Sequence, residues 1–270
     1  MVVRACDARL EVPTQTASGA LLRGVTCPNA QINWLEQTTF ATDEGLFVVG
    51  IGRDVVGAYP LTASIDGQSV QAVVSISPRE YRISIVEGVP QRTVTPSEDE
   101  LIRIRRESAM VAEAKAMVVT VDHWQQPAIE PASGRISGVY GSQRVYNGTP
   151  GNPHYGLDIA APTGTPVVAP LGGVVVLAED DLFYSGGTII VAHGAGLFSS
   201  FLHLSSVDVE VGQVLERGAP LGKIGSTGRA TGPHLDWRMN WRNQRVDTQW
   251  LLQSGWPNTA SQFIDAQQTN

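Results

Sequence analysis

Two β domains joined by one helix are what this chain predicts, on three observations. Residues 5 to about 88, and again 135 to about 252, break into short alternating or β-branched runs separated by Gly, Pro and Asp turns. Between them lies the one stretch that combines helical periodicity with a helix-start signature, and a Pro-rich segment divides it from the second β region. The fold class expected is therefore mainly β. An N-terminal sandwich of immunoglobulin type occupies 1–92, a connector helix and linker 93–130, a second β domain 131–256, and a polar tail 257–270.

The N-terminal strands are read at Leu46–Ile51, Pro60–Ile65, Ser69–Ile76 and Tyr81–Ile85, with Asp43-Glu-Gly45, Asp66-Gly67 and Ser77-Pro78 as turns. Short strands at this spacing suit a small sandwich, and no polar cluster there suggests chemistry, so a positioning or docking module is expected. The same region holds both cysteines, Cys6 and Cys27. Two buried thiols and a disulfide linking two strands fit equally well, and the second would indicate an oxidising compartment.

The helix opens at Pro96-Ser97, where Ser97 can cap and Glu100 stands at capping-box spacing. Leu101, Ile104, Ser108 and Val111 recur at intervals of three or four as far as about Met117, beside Arg103, Arg105, Arg106 and Glu107, which are expected on a solvated face. The second β region then runs through Thr165–Ala169, Val174–Leu177, Thr188–Val191 and Phe198–Leu202.

Several function classes are disfavoured by composition. Of 270 residues 42% are hydrophobic and 17% charged, which is globular rather than disordered. A net charge of -7 without a Lys/Arg run offers nucleic acid no footprint. No apolar run approaches the roughly 20 residues of a transmembrane helix. No basic and apolar leader stands at the start, so an exported form would have lost its signal.

The chemistry-bearing residues are His154, Asp158, His203, His234 and Asp236. His154 and Asp158 flank Gly156; an extended chain would hold their Cα atoms roughly 13 Å apart, so a bend at Gly156 is expected. His234 and Asp236, two apart on a strand, point to one face. Hydrolytic zinc sites use three protein ligands and one open position, and His154, Asp158 and Asp236 can supply the three. His203 and His234 remain to accept a proton and steady an oxyanion. His193 and His123 read as structural. Tyr140 and Asn147, upstream of His154, are candidates to line a substrate groove.

Over Gly134–Trp241 the chain resembles the lysostaphin-type zinc metallopeptidases of bacterial cell walls (LytM-like domains). The matching pieces are Gly138-Val-Tyr-Gly-Ser-Gln143, His154-Tyr-Gly-Leu-Asp158, the run Ile159–Pro170, Phe201-Leu-His-Leu204 and Thr231-Gly-Pro-His-Leu235. The resemblance implies an antiparallel β fold with a narrow groove, one bound zinc ion, and cleavage of peptide stems or cross-links of peptidoglycan in the periplasm or cell envelope. It makes His154 and Asp158 the first two ligands and His203 and His234 the catalytic histidines. The family's third ligand is the second histidine of His-x-His, whereas this chain has Asp236. A carboxylate reaches zinc at about the distance of an imidazole, yet two carboxylates neutralise the ion and weaken its polarising power. The alternative implied is a degenerate relative that binds the wall or activates a wall amidase or a divisome protein. A further alternative is a sugar-binding β protein that stacks glycans on Trp237, Trp241, Trp250 and Trp256.

Overall fold

The computed structural model describes residues 6–86, 97–146 and 148–253. Two compact units divide the chain, one ending at Arg79 and one spanning Glu80–Leu252.

Eight strands build the first: β1 (Leu10–Glu11), β2 (Gln15–Ala17), β3 (Leu21–Thr26), β4 (Gln31–Trp34), β5 (Gln37–Phe40), β6 (Leu46–Gly50), β7 (Gly57–Ile65) and β8 (Gln68–Ser77). They form two sheets, β1-β3-β6 and β2-β8-β7-β4-β5. Alternation sorts their faces: Val74 and Ile76 of β8 are buried while the preceding Val73 is exposed. Trp34, fully buried, donates its indole N–H to the Gly50 carbonyl at 3.1 Å and so links the two sheets. The Asp66-Gly67 turn carries positive φ at both residues (49° and 77°), the two-residue hairpin geometry that those side chains favour. Cys6 and Cys27 are joined as a disulfide. It closes a 21-residue separation around β1 and β3, neighbours in one sheet, so it staples a sheet rather than crossing the sandwich as in antibody domains. Loop closure of that length stabilises by about 3 kcal/mol.

The second unit contains β9 (Ile83–Val86), α1 (Glu98–Ala116), a 3-10 turn at His123–Gln125, β10 (Arg135–Gly138), β11 (Gln143–Tyr146), β12 (Thr149–Pro150) and β13 (Gly156–Ala160). It continues with β14 (Pro166–Val168), β15 (Gly173–Leu182), β16 (Gly186–Gly194), β17 (Leu197–Val207), β18 (Val214–Leu215), β19 (Pro220–Ile224), β20 (His234–Trp241), β21 (Gln244–Val246) and the short α2 (Gln249–Leu252). The main sheet runs β10-β13-β20-β17-β16-β15-β18, antiparallel throughout. β9, expected as the last strand of the sandwich, instead pairs in parallel with β11 and so belongs here.

The capping box at the start of α1 is present: the Ser97 hydroxyl accepts from the Glu100 N–H, and the Glu100 carboxylate accepts from the Ser97 N–H at 2.7 Å. Its packed stripe is Met110, Val111 and Ala114 against Val176, Leu177, Leu182, Ile190 and Phe198, while Leu101, expected on that face, is exposed. Arg105 and Arg106 are solvated as expected, but Arg103 and Glu107 are not a solvated pair. Arg103 donates to Glu107 at 2.6 Å and to the Asp181 carbonyl at 2.6 Å, and Glu107 accepts the Phe183 N–H at 2.7 Å, which pins α1 to β15. Among the described residues no helix is long and apolar enough to cross a membrane.

Candidate metal centre

β13 and β20 lie side by side in the middle of the main sheet, and their register sets the site. Asp158 stands directly opposite Asp236, and Gly156 opposite Arg238. Alternation along β20 turns Leu235, Trp237, Met239 and Trp241 into the core, all fully buried, and leaves His234, Asp236, Arg238 and Asn240 on the other face. The burial of Trp237, Trp241 and Trp250 removes them as sugar platforms; Trp256 lies outside the described residues.

His154 sits just before β13, held by two backbone bonds to the β10–β11 connection: its N–H donates to the Ser142 carbonyl and its carbonyl accepts from the Gly141 N–H, both at 2.8 Å. Its Nε2 then comes 3.0 Å from Asp158 Oδ1. The bend expected at Gly156 is absent, because Gly156 is an ordinary strand residue. What it provides is room: a Cβ there would lie 2.0 Å from Asp236 Oδ1 and 2.9 Å from Arg238 Cγ. Gly138 does the same for Asp158, since a Cβ would stand 2.2 Å from its Oδ2.

One donor atom from each of His154, Asp158 and Asp236 falls within 4.8 Å of the other two. His154 Nε2 and Asp158 Oδ1 are buried and make no hydrogen bond of good geometry. Two orphaned donors aimed at one point, beside a carboxylate, fit a divalent cation. The third donor is differently placed. Arg238 reaches back along β20 and donates to both oxygens of Asp236, from Nε at 3.1 and 2.9 Å and from Nη2 at 2.5 Å. Burial works against ionisation of Asp236, yet the Arg238 guanidinium holds its carboxyl below the usual range. Burial likewise opposes charge on His154, but the adjoining Asp158 and Asp236 carboxylates carry its pKa above the ordinary value.

His203 reaches the site through an unusual backbone. Leu202 faces Asp236 in the β17·β20 register, so the next residue should point to the core. His203 instead adopts φ +67°, rare for a residue with a side chain, and its ring turns into the cleft. Its Nδ1 lies 2.9 Å from the Thr227 carbonyl, leaving Nε2 for the site. The His203 and His234 rings face each other with centroids 4.8 Å apart, and His234 Nδ1 lies 2.8 Å from the Gly232 carbonyl. Burial, helped by the neighbouring His234 and Arg238, lowers the His203 pKa despite the Thr227 carbonyl and Asp236, which favours the neutral ring. All five residues line one open cleft of about 1120 Å³.

The structure brings together each of the five expected residues. Tyr140 does not join them: it is buried, edge-on to Tyr81 and Tyr155, with its hydroxyl on the Arg245 carbonyl at 2.8 Å. Its ring serves packing rather than a groove. Asn147 lies outside the described residues. His193 is structural, fully buried with Nδ1 2.7 Å from the Gly172 carbonyl and Nε2 2.8 Å from Ser199 Oγ.

Residues 152–248 match the family model for peptidase family M23. Over this part the chain resembles an M23 peptidase domain. Over 95 residues it is 41% identical to the peptidoglycan DD-endopeptidase ShyA of Vibrio cholerae, a match covering 35% of this chain and 22% of that protein. Over 86 residues it is 35% identical to the cell division protein DipM of Caulobacter vibrioides, covering 32% and 14%. The chain thus corresponds to about a fifth of the length of the first of these relatives. A solved M23 peptidase structure from Pseudomonas aeruginosa aligns over 87% of this chain and 94% of its own at 29% identity, with a TM-score of 0.69.

Arg238 was not singled out in the sequence, and Gly156 was singled out only as a bend. Arg238 had a readable signal, since the alternation that pairs His234 with Asp236 puts Arg238 on the same face. Gly156 was noticed for the wrong property, because its partner across the strands is invisible without the register.

Proposed function

We propose that this M23 domain is a metal-dependent endopeptidase that cuts peptide stems or cross-links of peptidoglycan in the cell envelope. The observation that carries the reading is the pair of orphaned donors, His154 Nε2 and Asp158 Oδ1, beside Asp236 and beneath two facing histidines. His154, Asp158 and Asp236 would hold one zinc ion. A bound ion supplies Lewis-acid polarisation of a scissile carbonyl.

The remaining steps belong to side chains. His203, fixed through Nδ1 by Thr227 and with its pKa lowered by burial, presents Nε2 as a proton acceptor. His234, fixed in the same way by Gly232, stands opposite, where a donated hydrogen bond would steady negative charge developing on the carbonyl oxygen. The two rings act as a pair. The Asp236–Arg238 contact bears on charge. A carboxylate paired with a guanidinium is neutral as a unit, as an imidazole is, so the ion retains more polarising power than two free carboxylates would leave it.

The names of relatives support the substrate class, and the Cys6–Cys27 disulfide supports an oxidising compartment. The test is digestion of purified peptidoglycan by the zinc-loaded chain. His203→Ala and His234→Ala should each abolish release of peptide fragments while zinc remains bound. Ordinary turnover by either variant would overturn the assignment.

One observation favours a second reading. Both Asp236 oxygens already hold Arg238, so the site carries a cation of its own. In that reading the domain is a non-catalytic wall-binding module or an activator of an amidase. It would retain no zinc, and Asp236→His would create metal affinity where none existed.

A further inference from the structure

Beside the metal cleft, between α1 and the face of β20 that carries Arg238 and Asn240, lies a second cleft of about 840 Å³, within the range of small-ligand sites. The two share a wall of Tyr155, His203, Arg229, Arg238 and Arg245. Its charge is one-sided. Lys115 of α1 enters it half-buried, with Asn240 Oδ1 at 2.8 Å as hydrogen-bond partner. Arg245 and Arg238 stand near enough to repel it, and with burial, the larger cause, they bring its pKa down to about 7. Arg245 lies over the Tyr155 ring at 4.6 Å. The cleft's one carboxylate, Glu107, is spent on Arg103 and the Phe183 N–H. Among the described residues no carboxylate pairs with Lys115 or Arg245. The wall also contains Ser200, opposite Arg238 in the β17·β20 register, whose buried hydroxyl has no partner.

A half-buried ammonium such as that of Lys115, facing guanidinium groups of its own sign, is costly unless an anion joins it. Part of the lining is apolar, with Val111, Leu182, Ile190, Leu202 and Met239 beside the cations and the neutral polar side chains. A phosphate or inorganic anion would leave that surface unused. A peptide end, with a carboxylate head and an alkyl side chain, would use both.

We propose that this cleft binds the free carboxylate of a peptide, received by Lys115 and Arg245, with its side chain against the apolar wall. Because His203 and Arg238 belong to both clefts, a peptide so anchored extends toward the metal centre. That the peptide is a wall stem rests on the function proposed above; the carboxylate site itself does not.

The experiment is calorimetric titration of the full chain, stripped of metal with a chelator, so that binding is read without cleavage. N-acetyl-D-alanyl-D-alanine should bind at least about tenfold more tightly than its C-terminal amide, the factor expected of one charge-assisted contact. Lys115→Met should bring the acid to the level of the amide, and Lys115→Arg should preserve the preference, which also controls for folding. In the wild type, the acid should shield Lys115 from an amine-acylating reagent, read by mass spectrometry. Equal binding of acid and amide, no binding of either, or a preference that survives Lys115→Met would overturn the proposal. The L,L-dipeptide acid is a further arm: tighter binding of the D,D form supports a wall stem, and tighter binding of the L,L form overturns that assignment of the occupant. A chain that binds the acid yet leaves peptidoglycan intact contradicts the proposed function and not this site; a chain that cleaves without distinguishing acid from amide does the reverse.

Discussion

At its first half β20 presents His234 and Asp236 to His154 and Asp158; at its second half the same face presents Arg238 and Asn240 to Lys115. One strand therefore carries an acidic, donor-rich end built for a cation and a basic end built for an anion, and Arg238 ties the two by folding back onto Asp236. The contrast teaches that the chemistry of a ligand is not set by its residue type alone. Asp236 with its guanidinium partner has the net charge of a neutral histidine, while its oxygens keep lone pairs for a metal.

The largest effect should come from removing what joins the halves. Asp236→Ala leaves Arg238 without its counter-charge and is expected to cost about 3 kcal/mol, at the low end for a broken buried pair because Arg238 is partly in solvent. It should also eliminate zinc retention. Urea unfolding and metal analysis measure both, and an unchanged midpoint would contradict the pairing.

Gly156→Ala attacks the same junction from β13. Its methyl group would meet Asp236 and Arg238 at 2.0 and 2.9 Å, so the ion pair must shift, at about 2 kcal/mol. Zinc affinity should fall with stability, as titration against a chelator reports.

Arg238→Met sharpens the comparison in the other direction. With the guanidinium gone, Asp236 becomes a full anionic ligand, and zinc affinity is expected to rise about tenfold while the metal-free chain loses stability. Unaltered affinity would mean that Arg238 does not act on the metal centre.

His193 supplies a histidine outside both halves. Its folded pKa is lowered by burial to about 4, so between pH 6.5 and 4 the unfolded chain binds a proton that the folded one does not. Stability from this residue is complete above pH 6.5 and is lost as pH falls through that window. His193→Gln should flatten this part of the acid limb in a melting-temperature series; an unchanged slope would assign the lability elsewhere.

Much of this was legible in the sequence because it depends on local periodicity. The capping box of α1, the Asp66-Gly67 hairpin and the shared face of His234 and Asp236 are consequences of spacings of three, two and two. The five site residues were legible too, by resemblance as well as by chemistry. What was not legible depends on register or on rare backbone. Gly156 matters because Arg238 lies opposite; β9 changes unit because its partner is β11; and His203 reaches the cleft by a positive φ that alternation would deny. Tyr140 was misplaced for a related reason, since proximity in sequence to His154 says nothing of which side of the β10–β11 connection a ring takes.

The most direct measurement is the zinc content of the purified chain after equilibration with the metal and desalting. The account predicts about one zinc per chain, lost in Asp236→Ala. A wild-type chain that retains none would contradict it and leave Arg238 as the cation of the site.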